Sequence, residues 1–136
     1  LQFHDRERAS RYGLSVSQCH ALQVLLQLGP LTVTELGDRL YLEKSTASRL
    51  AKSLLDVGLL RRRAPPGDRR VIILQLTERG HRQGRRILND LAEEYRRFLE
   101  GVDPEVRQLL PDALEQFTRG VAKAILPADH TMDSAD

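Results

Sequence analysis

Two clusters of side chains carry the chemistry legible in this chain. The first is Lys44, Ser45, Thr46, Ser48, Arg49 and Lys52; the second is Arg63, Asp68, Arg69 and Arg70, placed around Pro65-Pro66-Gly67. Arginine offers a planar fork of donors to a phosphate or a guanine edge, whereas lysine acts as a point charge. Small hydroxyls let a backbone approach closely and bond a phosphate themselves. This is recognition chemistry aimed at a polyanion, not bond-making chemistry. Asp68 reads two ways in so basic a place. It is either a carboxylate that orients Arg70 or Arg49 through a paired contact, or the acceptor of an Asx-turn.

The distribution of charge agrees with that reading. The net charge of +2 over 136 residues is small. From Arg39 to Arg86, however, 13 Lys or Arg stand against 4 Asp or Glu, a local balance of +9. From Asp103 to Asp136, 3 stand against 7, a balance of −4. A basic middle is the electrostatic footprint of a polyanion binder. No run of 18 apolar residues occurs, so a helical membrane span is excluded and a membrane partner is not expected. The opening LQFHDRERASRYG is too polar for a secretory signal. It lacks a starting Met, so the natural N-terminus is expected to lie upstream. Cys19 is the single cysteine, so no internal disulfide can form, and the expected compartment is the reducing cytoplasm. Aromatic residues are 4% of the chain and Trp is absent, which leaves leucine to fill the core.

The elements that must position the two clusters follow from periodicity and punctuation. Residues 1–12 read as a helix broken by Gly13. Ser15 with Gln18 makes a capping box before Ala21, Leu22, Leu25 and Leu28, and Gly29-Pro30 stops that helix. Thr32 with Glu35 makes a second box before a short helix with Val33, Leu36 and Leu40 on one face. After a break at Tyr41-Leu42-Glu43, residues 44–57 form a helix. Ala47, Leu50, Ala51 and Leu54 face inward, the first cluster faces outward, and Gly58 is the C-terminal cap. LLRRRA and RVIILQL flank PPGD as a β-hairpin whose tip bears Arg69 and Arg70. Thr77 caps a long helix striped by Ile87, Leu88, Leu91, Tyr95, Phe98 and Val102. Asp103-Pro104 opens a last helix striped by Val106, Leu109, Leu110, Ala113, Leu114, Phe117, Val121 and Ile125. The polar tail over 127–136 reads as flexible. The fold class is therefore mainly α with a small β-hairpin wing: a winged helix-turn-helix flanked by further helices.

Residues 31–80 resemble the DNA-binding lobe of the MarR family of bacterial transcription regulators. Asp68 and Arg70 match that family's Asp-x-Arg wing signature; Leu76, Thr77 and Gly80 match its Leu-Thr-x-x-Gly helix start. Gly58-Leu59-Leu60 and the GLSVSQ before the first core helix match as well. Tyr41 departs from the pattern, standing where many members carry glycine; it is expected either to pack the turn more tightly or to face the DNA backbone or a ligand. The first helix is short, so part of the dimerisation arm is expected to lie outside this sequence. The resemblance implies one domain over 1–126, with a lobe at 31–80 and dimerisation helices over 1–28 and 81–126. It also implies a homodimer on double-stranded DNA. Each half would present Lys44, Ser45, Thr46, Ser48, Arg49 and Lys52 to the major groove and Arg63, Asp68, Arg69 and Arg70 to the minor groove. Repression relieved by a small aromatic or anionic effector is the implied mode of action.

Some relatives sense oxidants through a cysteine and a few bind zinc. Cys19 with His20 is the candidate redox or ligand site, since a cysteine in the first turn of a helix gains thiolate character from the macrodipole. The opposite reading makes Cys19 a small buried hydrophobe. Adjacent residues diverge by about 100° on a helix, so Cys19 and His20 do not form a metal pair, and no cofactor is expected. An enzyme is not expected either: there is no nucleophile–base pairing and no phosphate-cradling glycine loop, and Gly80 and Gly84 fall on a helix. The alternative is a winged-helix module that docks protein or RNA without reading DNA. Exposed aromatics would mark such a surface, whereas this outer face is cationic.

Overall fold

In a computed structural model the backbone is described for residues 2–125 and the side chains for residues 6–120. The element order is α1 (Gln2–Ser10), α2 (Val16–Leu28), β1 (Leu31–Thr32), α3 (Val33–Leu40), α4 (Lys44–Asp56), β2 (Leu60–Arg63), β3 (Ile73–Leu76), α5 (Glu78–Glu100) and α6 (Pro104–Ile125). The expected flexible tail at 127–136 lies outside the described residues. The chain divides into two compact units, Leu1–Glu93 and Glu94–Asp136.

The first unit is built on local signals that each satisfy backbone groups at helix ends. Ser15 Oγ accepts from the Gln18 N–H while the Gln18 side chain accepts from the Ser15 N–H; Thr32 and Glu35 do the same for α3. Three helices close in one geometry. The Leu14 N–H bonds Ala9 O at 3.3 Å, the Leu42 N–H bonds Gly37 O at 2.9 Å, and the Leu59 N–H bonds Leu54 O at 3.0 Å. Each is a Schellman closure with a left-handed residue in its seat. The seats are Gly13 (φ 65°), Tyr41 (φ 56°) and Gly58 (φ 73°).

The sheet has three strands in the order β1-β3-β2, both pairs antiparallel. Leu31 pairs with Leu74, and Leu60, Arg61, Arg62 and Arg63 pair with Leu76, Gln75, Leu74 and Ile73. Two expectations are corrected here. The hairpin gains a third strand, because Leu31 and Thr32 are extended just before α3 and lie on the free edge of β3. The wing's second strand begins at Ile73 instead of Arg70. Pairing ends at Arg63, after which Pro65 and Pro66 have no N–H to extend the ladder. Val71 and Ile72 are left exposed beyond the sheet.

The core gathers Leu22, Leu25, Leu36, Leu54 and Leu74, with Leu59, Leu60, Leu76, Ile87 and small alanines around them. Leucine dominates, as the aromatic-poor composition requires. Each fully buried leucine contributes about 1.5–3 kcal/mol relative to exposure. No polar or charged residue is buried among those described. Gly80 sets the approach of α5 to the corner after α4: a Cβ there would stand 2.1 Å from Leu59 O. The Thr77 hydroxyl locks the same corner, donating to Gly58 O at 2.8 Å and accepting from the Gly80 N–H at 3.0 Å.

The second unit is different in kind. From Glu94 to Gly120 no residue is buried. Tyr95, Phe98, Val106, Leu109, Leu114 and Phe117 are all exposed. Pro111 sits inside α6; it withholds the N–H that would bond the Arg107 carbonyl, a break in the ladder that periodicity does not announce.

Candidate nucleic-acid interface

The α3–turn–α4 pair is held by small residues: a Cβ on Gly37 would lie 3.0 Å from Ala47 Cβ, so the two helices cross at near-backbone contact. Ala47, Leu50, Ala51 and Leu54 of α4 are buried, the face read from sequence. On the other side Lys44, Ser45, Ser48, Arg49 and Lys52 are exposed and Thr46 is half-buried. Arg49 Nη2 donates to Thr46 Oγ1 at 3.3 Å, which steadies the guanidinium along the helix surface. Lys52 Nζ pairs with Asp56 at 2.9 Å, both largely exposed. Such a surface pair is worth about 0.3–0.5 kcal/mol, so a phosphate can readily replace Asp56 as partner. The N-cap of α4 is Glu43, which makes no side-chain capping bond.

One contact that orients α4 is absent from the sequence reading. Gln18 Nε2 donates to Ser53 Oγ at 3.0 Å, and Ser53 Oγ donates to Leu50 O at 2.7 Å. The same Gln18 completes the cap of α2, so a single side chain ties the start of one helix to the flank of the other.

In the wing, Asp68 N–H bonds Pro65 O at 3.4 Å across a turn with Pro66 and then Gly67 (φ 91°), the residue order of a type II turn. Asp68 Oδ1 accepts from the Arg70 backbone N–H at 2.9 Å. The Asx-turn is thus the geometry present: the carboxylate fixes the loop, and its partner in Arg70 is the main chain instead of the guanidinium. Arg63, Arg69 and Arg70 are exposed. Arg61 Nε donates to Gln75 Oε1 at 3.2 Å across the register pair, which lays that arginine on the sheet.

Cys19 and His20 are separated as helix geometry requires, Cys19 buried and His20 exposed. Burial pushes the Cys19 thiol above its ordinary value. Desolvation disfavours the thiolate, which favours the reading of Cys19 as a small buried hydrophobe. Among the described residues no group of three His, Cys, Asp or Glu could hold a metal, and no helix is long and apolar enough to cross a membrane.

Far from the wing, Tyr12 Oη donates to Asp90 Oδ2 at 2.5 Å, and the Arg86 guanidinium lies 5.5 Å from the Tyr12 ring centroid. Desolvation, reinforced by the Asp90 hydrogen bond, pushes the phenol up to about 12.

This arrangement of helix pair, three-stranded sheet and wing is a winged helix-turn-helix. Comparison with known proteins agrees: the MarR family model matches residues 12–71. An uncharacterized HTH-type transcriptional regulator of Bacillus subtilis, YsmB, is 31% identical over 100 residues, covering 74% of this chain and 68% of that protein. A MarR family protein of Bacillus stearothermophilus superposes with a TM-score of 0.79 at 27% identity, covering 89% of this chain and 84% of that one. NadR, solved in complex with 4-hydroxyphenylacetate, shares the fold with a TM-score of 0.69 at 23% identity, covering 85% and 82%. The chain belongs to the MarR family of transcriptional regulators.

Proposed function

We propose that this regulator is a repressor that binds a near-palindromic operator as a homodimer and is released by a small aromatic or anionic effector. The observation that carries the reading is α4: one face is anchored in the core, and the other presents Lys44, Ser45, Thr46, Ser48, Arg49 and Lys52. A helix so mounted enters a major groove about 12 Å wide with its base-reading groups forward. Ser48 and Arg49 read base edges; Lys44 and Lys52 neutralise phosphates. Arg63, Arg69 and Arg70 reach the minor groove on a wing that Asp68 keeps folded.

Residues 1–28 and 81–126 are the dimerisation helices. The absence of any buried residue from Glu94 to Gly120 supports this, because a segment without a core does not hold its shape alone. A two-fold dimer sets its recognition helices about 34 Å apart, one turn of DNA. An aromatic acid in a protein of the same fold supports the effector class. The site of action is the cytoplasm, with no cofactor, metal or catalytic step. Hydroxyl-radical footprinting on the duplex upstream of the protein's own gene tests the reading. Two protected patches one helical turn apart, related by a dyad, are expected; a single patch or uniform protection would overturn it.

A further inference from the structure

The three Schellman closures supply an internal comparison. Two of the three left-handed seats hold glycine, Gly13 and Gly58, as the backbone prefers; the third holds Tyr41 at φ 56°, ψ 40°. A side chain in that conformation is strained because its Cβ crowds the neighbouring carbonyl. Burial of the ring could offset the strain, but Tyr41 is 83% exposed, the most exposed of the large apolar and aromatic side chains among the described residues. The closure itself uses only main-chain atoms, Leu42 N–H to Gly37 O and Tyr41 N–H to Asp38 O. Tyr12 makes the contrast clear, with its ring half-buried and its hydroxyl on Asp90. The fold therefore draws nothing from the Tyr41 side chain.

Its place in the fold is specific. It stands in the three-residue turn between α3 and α4, next to the exposed start of the recognition helix, with Arg39 and Lys44 but also Asp38 and Glu43 near it in sequence. When such a pair docks, the second helix lies in the groove and the first crosses the backbone, which brings the turn to the phosphate rim. The mixed local charge makes a cation's pull weak there, whereas a neutral hydroxyl donor suits one phosphate oxygen. We propose, resting on the DNA-binding reading above, that Tyr41 is a positioning residue on DNA whose hydroxyl donates to a backbone phosphate at the groove edge.

The test is an anisotropy titration of wild type, Tyr41→Phe and Tyr41→Gly on the native upstream duplex and a scrambled one, at two salt concentrations, with melting temperatures for all three. Tyr41→Phe should lose about tenfold in affinity on both duplexes equally, since a phosphate contact carries no base information. The salt slope should not change, because a neutral donor displaces no counterion. Tyr41→Gly should lose at least as much affinity while melting at or above the wild-type temperature, which separates the DNA role from a folding role. Wild-type affinity in Tyr41→Phe would overturn the assignment and leave the DNA reading intact. A wild type that binds neither duplex would overturn both.

Discussion

The phenol of Tyr12 and the carboxylate of Asp90 meet at 2.5 Å across 78 residues of sequence, joining the turn after α1 to α5. With the Tyr12 hydroxyl held up to about 12, the folded state keeps this proton where an unfolded tyrosine, near 10, has lost it. The unfolded state therefore binds fewer protons between pH 10 and pH 12, and stability from this contact falls as pH rises through that window. It is fully present below pH 10. Thermal melts of wild type and Tyr12→Phe from pH 8 to pH 12 check this. The variant should lose about 1 kcal/mol at pH 8, and the gap should close by pH 12.

Gly80 lies where no side chain fits. A Cβ there would stand 2.1 Å from Leu59 O, a backbone atom already bonded by the Thr77 N–H and hydroxyl. Gly80→Ala should cost about 2–3 kcal/mol through overpacking, read as a melting temperature lower by roughly 10 °C. Gly120 has open space where a Cβ would be placed, so Gly120→Ala should melt at or above wild type.

The wing and the helix should fail differently. Arg70→Ala removes a cation at a loop that Asp68 shapes through the backbone, so the turn survives. Affinity should drop on every duplex, and the salt slope should fall by about 1. Arg49→Ala or Ser48→Ala should instead change discrimination between operator variants, by about 1–3 kcal/mol per lost base contact. Titrating both variants against a panel of single-base operator changes separates the two behaviours.

The exposed stripe of α6 should be a subunit interface. Leu109 and Phe117 are 67% and 71% exposed. Light scattering at micromolar concentration should give a dimer mass for wild type and a monomer mass for the Leu109→Glu, Phe117→Glu double variant, because burying two carboxylates costs several kcal/mol.

Local chemistry made much of this fold legible. Both capping boxes, the glycine stop after α4, the inward face of α4 and the leucine core each rest on residues within one or two turns of each other. The wing's approximate place was legible for the same reason, from Pro65-Pro66-Gly67. What escaped depends on distant partners. β1 is two residues long and exists only because β3 offers an edge. The Gln18–Ser53 tie spans 35 residues and Tyr12–Asp90 spans 78, and neither pair has a local signature. For Cys19 the sequence offered both a helix-start thiolate and a small buried hydrophobe, and its place in the core favours the second. At the candidate interface Asp68 stood open between a paired carboxylate and a turn acceptor until backbone geometry chose the second, and the left-handed seat of Tyr41 needed that geometry outright.

If the exposed face of α4 reads DNA, both base sequence and salt must govern affinity. Fluorescence anisotropy of the wild-type protein on the native upstream duplex and a scrambled duplex, at 50 and about 200 mM salt, tests it most directly. Binding to the native duplex should be at least about a thousandfold tighter than to the scrambled one, with both affinities falling steeply as salt rises. Equal affinity for the two duplexes, or affinity indifferent to salt, would contradict it.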